Sequence, residues 1–218
     1  MSRAVLLDVD GTLLDSNDLH AEAWVEALRD QGFARGFAEV RPLIGMGGDK
    51  LIPRLTGLDP ESPEGERLSA RRSELFLASY VPRVRALPGA RTLLETLRRH
   101  DFALCVATSA KRDEVEALLQ QGGLLDLLPQ RTSADEAAQS KPDPDIVKAA
   151  LRKLEVSAAQ AFMLGDTPYD AEAAQRAHVA FIGFTCGGHA AEALAGARAV
   201  YRDPEELVAR FADSPLAR

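Results

Sequence analysis

A chain of 218 residues is long enough for one domain, or for a core that carries a smaller insertion. With 46% hydrophobic and 27% charged residues the composition is that of a packed globular protein and not of a disordered one. The formal net charge of -7 argues against a nucleic-acid binder, yet leaves a small phosphate-bearing substrate open, because a metal ion and a few placed cations reverse the field locally.

In chain order, residues 4–9 form a short apolar run rich in branched side chains and read as a buried strand, ended by Gly11. The run is too short for a signal peptide or a membrane span, so a soluble, cytoplasmic protein with no membrane partner is expected. Leu19, Ala23, Trp24, Ala27 and Leu28 recur at helical spacing over residues 19–31, with Gly32 as a stop. Further helices are expected at about 50–55 and 64–80, separated by loops bearing Gly45-Met46-Gly47-Gly48 and Asp59-Pro60-Glu61-Ser62-Pro63. After Leu87-Pro88-Gly89 the pattern alternates. Helices are expected at 90–99, 112–121, 145–154, 169–177 and 204–211, and strands at 102–107, 130–133, 161–164, 179–183 and 199–201. Such alternation specifies a parallel sheet with helices on both faces, and the stretch from about 15 to 85 reads as a purely helical insertion. The two cysteines lack metal-ligand spacing and a disulfide framework, as in a reducing cytosol, and Cys105 reads as a small buried thiol.

Reactive groups in open parallel sheets collect at the carboxyl ends of the strands. Asp8 and Asp10, two residues apart at such an end, would point the same way in a regular strand, with Gly11 free to turn sharply after them. Paired carboxylates need a cation or a proton to coexist, which suits a nucleophile beside a general acid/base; an acidic turn capping the next segment would look the same. Thr108-Ser109 follows the strand at 102–107, where a hydroxyl and nearby amides either bind phosphate oxygens or simply cap a helix. Lys141 precedes Pro142 and Pro144 at a turn, either as a functional cation or as a solvated charge. Asp166 ends the strand at 161–164 and Asp170 follows one helical turn later, so the two converge; hard carboxylate oxygens suit Mg²⁺ and not zinc, although Asp170 is also a favourable first-turn acid. Each cluster is modest alone, but all fall at predicted strand ends.

With these residues in order, the chain resembles the haloacid dehalogenase superfamily over nearly its whole length. Leu13-Leu14-Asp15-Ser16, His20, Trp24 and Leu87-Pro88-Gly89 resemble the branch with a small helical cap that includes phosphoglycolate phosphatases and β-phosphoglucomutases. The resemblance implies an α/β fold: a Rossmann-like parallel-sheet core (1–14 and 86–218) with helices on both faces and an inserted α-helical cap domain (15–85). It implies a Mg²⁺-dependent phosphatase acting on a small phosphorylated metabolite, without nucleic acid or an obligate protein partner. Asp8 would attack phosphorus and become phosphorylated; Asp10 would protonate the leaving oxygen and then activate water. Ser109 and Lys141 would hold phosphoryl oxygens. Asp166, the Asp8 side chain and the Asp10 main-chain carbonyl would bind the metal; Asp170 would support that shell or the lysine, and Thr12 would position Asp10.

The second aspartate excludes the dehalogenating and phosphonate-cleaving branches. Damage to Asp8, Asp10 or Asp166 would mark a non-catalytic sensor, and none is damaged; receiver domains are shorter and lack the helical insertion. The alternative within the branch is a phosphomutase, whose cap loop clamps a second phosphate with a lysine and an arginine. Aligned on Gly45, those positions are Ile44 and Gly48 here, with Arg41 and Lys50 displaced, which favours hydrolysis. Gly47, Gly48 and Lys50 are candidates for substrate selection, or the glycines only connect two helices tightly.

Overall fold

A computed structural model describes residues 3–217. Its centre is a six-stranded parallel sheet, formed by β1 (Arg3–Leu7), β4 (Phe102–Ala107), β5 (Arg131–Thr132), β6 (Ala161–Gly165), β7 (Ala180–Phe184) and β8 (Ala199–Tyr201) in the order β5-β4-β1-β6-β7-β8. A two-residue antiparallel pair, β2 (Leu14–Asp15) with β3 (Arg85–Ala86), makes a separate ribbon. The helices are α1 (Asn17–Asp30), α2 (Phe37–Val40), α3 (Gly48–Thr56), α4 (Pro63–Leu75), α5 (Ala90–Arg99), α6 (Arg112–Gln121), α7 (Asp145–Leu154), α8 (Pro168–Arg176) and α9 (Pro204–Ala209).

The inner strands are apolar on both faces because helices cover both. Ala4 and Leu6 of β1 pack in one core cluster with Ile146, Val147 and Ala150 of α7; Val5 and Leu7 pack in the other with Leu93, Leu94 and Leu97 of α5. Full burial of one such leucine contributes roughly 1.5–3 kcal/mol, so β1, sealed on both sides, is anchored firmly up to Leu7. That rigidity matters because Asp8 is the next residue.

Several boundaries differ from the sequence reading. The first strand ends at Leu7, not at residue 9: the Val9 carbonyl accepts from the amides of Thr12, Leu13 and Leu14, closing a tight loop that hydrophobicity could not reveal. Gly11 sits in that loop at φ 75°, where a side chain would be strained and would collide with Asn17 and Asp166. The helical insertion is not purely helical, since its two ends zip together as the β2–β3 ribbon. Residues too few to show an alternating pattern build that ribbon. The short helix α2 also carried no periodic signal, and the helix at 64–80 ends in a π-helical turn, Phe76–Tyr80.

Candidate active site

The loops after β1, β4 and β5 line a cavity of about 440 Å³ with Asp8, Asp10, Thr108, Ser109 and Ser140, together with residues of the helical insertion. Asp8 is still tied to the sheet, its amide donating to the Leu164 carbonyl at 3.0 Å. Its Oδ1 lies 2.5 Å from the Lys141 ammonium, which also meets Asp170 Oδ1 at 2.7 Å. Lys141 is 1% exposed, so it is no solvated surface charge. Burial alone would lower its pKa, but Asp170 and Asp8 more than offset this and hold it above the usual lysine range.

Asp170 does two jobs with its two oxygens. Oδ2 accepts from the Thr167 amide at 3.1 Å and hydroxyl at 2.6 Å, capping α8, while Oδ1 faces Lys141. Asp166, fully buried, accepts from Thr12 Oγ1 and from Asn17 Nδ2, both at 2.9 Å. Thr12 therefore braces Asp166, with a longer 3.4 Å contact to Asp8, and does not position Asp10.

Carboxylate oxygens of Asp8, Asp166 and Asp170 lie within 4.8 Å of one another. Three buried acids against one ammonium leave excess negative charge. Burial, with the neighbouring Asp170, pushes Asp166 up to about 7, and burial likewise raises Asp8 well above the usual carboxylate range despite Lys141. A divalent cation would relieve that excess, and the all-oxygen donor set is of the kind Mg²⁺ takes. Gly11 and Gly187 keep space beside Asp166, since a Cβ at either would collide with its carboxylate. The residues present fit a Mg²⁺ ion.

Asp10 turns away from this cluster. Its Oδ1 accepts from Ser16 Oγ at 2.5 Å and meets His20 Nε2 at 2.8 Å. The other ring nitrogen, Nδ1, contacts Arg72 Nη2. A guanidinium has only donors, so Nδ1 accepts and the ring proton sits on Nε2, directed at Asp10. Arg72 Nη1 in turn donates to Glu114 Oε2 at 2.5 Å, and Ser73 Oγ donates to Oε1 at 2.7 Å. The ring of His20 stacks on Phe76, centroids 3.9 Å apart. Burial alone would raise Asp10, but His20, Ser16 and Arg72 hold it below the usual carboxylate range. The expectation that Asp8 and Asp10 point the same way from a regular strand is thus corrected: the loop at Val9 splits them between two sets of partners.

A haloacid dehalogenase-like hydrolase family model matches residues 5–184. The chain belongs to this family. Among curated relatives, a phosphoglycolate phosphatase of Rhodospirillum rubrum is 34% identical over 213 residues, covering 93% of this chain and 88% of the relative. A validoxylamine A 7'-phosphate phosphatase of Streptomyces hygroscopicus subsp. limoneus is 31% identical, covering 95% and 96%. A solved hydrolase from Pseudomonas syringae superposes with a TM-score of 0.90 at 30% identity, covering 98% of this chain and 99% of that one. This haloacid dehalogenase-like chain is a phosphatase, an enzyme that hydrolyses phosphate monoesters.

Against the family's motifs, Ser109 lies in the loop after β4 and lines the cavity, its hydroxyl accepting from the Lys141 amide at 3.3 Å; α6 begins only at Arg112, so the hydroxyl is not a helix cap. Gly47 and Gly48 line the cavity, and the Gly47 amide donates to Ser140 Oγ at 3.1 Å, so this approach latches the helical insertion to the core. Lys50 is drawn elsewhere, to Gln139 and, at 3.0 Å, to Asp143. Arg41 is held by Asp18 at 2.5 Å and by the Gly187 carbonyl at 2.6 Å, so neither displaced cation fills the position at Ile44 or Gly48. The sequence reading missed Asn17, Arg72 and Glu114. The signal for the last two was present: Arg72 shares a helical face with Leu68, Leu75 and Phe76, and Glu114 adjoins Val115 and Leu118, all buried. No described helix is long and apolar enough to cross a membrane. Both cysteines are free, with burial pushing the Cys105 thiol up to about 11.

Proposed function

We propose that the protein is a Mg²⁺-dependent phosphatase of small phosphorylated metabolites that works through phosphorylation of Asp8. The observation that carries this reading is the buried Asp8, 2.5 Å from Lys141 and in reach of Asp166, where a strand end, the cavity and excess negative charge coincide. Asp8, Asp166 and the Asp10 main-chain carbonyl would hold Mg²⁺. The ion would supply charge neutralisation for phosphoryl oxygens, which otherwise repel an attacking carboxylate.

In the first half-reaction an Asp8 oxygen attacks phosphorus and the bond to the alcohol oxygen breaks, Asp10 giving that oxygen its proton. Asp10 rests as the anion, and the arriving phosphate raises its pKa by like-charge repulsion, so it takes up the proton it then donates. In the second, Asp10 accepts a proton from water as that water attacks phosphorus and Asp8 leaves as the carboxylate. Lys141 and Ser109 hold phosphoryl oxygens throughout. His20 and Ser16 fix the Asp10 carboxyl where both transfers need it. Residues 15–85 act as a cap on the core formed by 1–14 and 86–218, with the β2–β3 ribbon at the hinge; Ser140, which meets Gly47, and Asp143, which meets Lys50, are among its docking points.

Phosphate release from p-nitrophenyl phosphate tests this: activity should vanish in chelator and return with Mg²⁺, whereas full activity in chelator would overturn it. A phosphomutase reading is disfavoured by Ile44 and Gly48, which offer no charge to hold a distal phosphate. Given β-glucose 1-phosphate with a trace of glucose 1,6-bisphosphate, the protein should release phosphate, if it reacts, and form little glucose 6-phosphate.

A further inference from the structure

The cavity runs from Asp8 and Asp10 to Asp59, Pro60 and Glu61 in the helical insertion, and its volume of about 440 Å³ is that of a pocket for a multi-carbon ligand. Its charged lining is lopsided. The carboxylates are Asp8, Asp10, Asp49, Asp59, Glu61 and Glu114; the permanent cations are Arg72 and Lys111. Lys111 lies exposed at the rim, 3.0 Å from Ser69 Oγ. Arg72 is the cation inside, and its charge is already matched by Glu114 at 2.5 Å, itself 1% exposed. Burial alone would raise the Glu114 carboxyl, but the Arg72 guanidinium and the Ser73 hydroxyl, both bonded to it, keep it below its ordinary range.

An ester whose alcohol part carries a carboxylate or second phosphate would therefore enter a negative field with no interior cation to meet it. A hydroxyl meets the opposite situation. It donates to the carboxylates along the wall at little cost, since it brings no charge into their field. We propose that the Arg72–Glu114 pair selects phosphate monoesters of uncharged, hydroxyl-bearing alcohols, the class of sugar and polyol monophosphates, and rejects esters with a second anionic group. The inference rests on the phosphatase reading of Asp8 and Asp10. It departs from the substrate named for the Rhodospirillum rubrum relative, a carboxylate-bearing ester. Glu114 becomes the residue that sets specificity by neutralising the one interior cation a distal anion could use.

The test is kcat/KM with Mg²⁺ for glucose 6-phosphate and sorbitol 6-phosphate against 2-phosphoglycolate and fructose 1,6-bisphosphate, with p-nitrophenyl phosphate as control. The wild-type enzyme should favour at least one neutral-tailed ester over both anionic-tailed ones by at least ~10-fold, and Glu114→Gln, which leaves Arg72 unmatched, should shift the anionic-to-neutral ratio upward by at least ~10-fold. The ratio is internal to each preparation, so a general loss of activity does not obscure it; if Glu114→Gln is recovered unfolded, the wild-type panel decides alone. Preference for 2-phosphoglycolate, an unchanged ratio in a folded variant, or turnover of the control with neither neutral-tailed ester turned over overturns the proposal and leaves the site assignment standing. Failure to hydrolyse even the control would instead strike the phosphatase reading beneath it.

Discussion

The strand-end half of the site and its helical half reach the same cavity by different routes. Asp8 follows β1, Lys141 lies in the loop before α7, and Asp166 and Asp170 bracket the end of β6 and the first turn of α8. Each of these is placed by backbone that the parallel sheet fixes. The helical half, Asp10–His20–Arg72–Glu114, takes one residue each from a loop, α1, α4 and α6, and is held together by side chains alone. In the proposed reaction the first half concentrates the charge that a metal and a phosphate would need, and the second would direct one proton. Chemistry at phosphorus should therefore fail when the first is touched, and become slower and less selective when the second is.

The largest expected effect belongs to the strand-end half. Asp8→Asn, nearly isosteric, should retain its fold by circular dichroism and lose at least ~10³-fold in kcat, since a covalent route disappears together with a metal donor. Asp10→Asn should cost ~10²–10⁴-fold, the scale of a positioned acid/base, with a greater loss on alkyl phosphates than on p-nitrophenyl phosphate, whose leaving oxygen needs no proton. Equal losses on both ester types would remove Asp10 from the acid role.

His20→Ala separates the halves more finely. It deletes one charge-assisted hydrogen bond to Asp10, worth about 1.5–3 kcal/mol, so kcat should fall ~10- to ~100-fold while Mg²⁺ affinity stays unchanged. Asn17→Ala should do the reverse. Its amide is 2.9 Å from Asp166 Oδ2, so its loss should weaken Mg²⁺ activation by ~10-fold and barely alter kcat at saturating metal. Metal titrations of the two variants side by side would collapse the distinction if both moved the same parameter.

The same contrast explains what could be read from the sequence. Asp8, Lys141, Asp166 and Asp170 were legible because a predicted strand, a turn and a helix start constrain where each side chain goes. Helix positions follow from apolar periodicity, and the parallel sheet from the alternation of strands with helices, whereas the order of strands in the sheet is set by the structure alone. The ribbon Leu14–Asp15 with Arg85–Ala86 was not legible, being two residues long on each side and paired across about seventy residues of sequence. Asp10 is legible from its place beside a strand end, but its partners are not, because strand alternation stops at Leu7 and the Val9 carbonyl starts a loop. Arg72 and Glu114 carry only half of a signal, a charge on an apolar helical face: burial of a charge is tolerated only with a partner, and the partner lies in a different helix 42 residues away.

The central claim is that Asp8 carries the phosphoryl group between the two half-reactions. Acid quenching of the enzyme during turnover, followed by mass analysis of its peptides, tests that claim most directly. The account predicts one added phosphoryl group on the peptide containing Asp8, removable by hydroxylamine as an acyl phosphate is, enriched in Asp10→Asn if that variant is slower in hydrolysis than in attack, and absent in Asp8→Asn. Turnover at the wild-type rate by Asp8→Asn, or a phosphoryl group trapped on another residue, would contradict it.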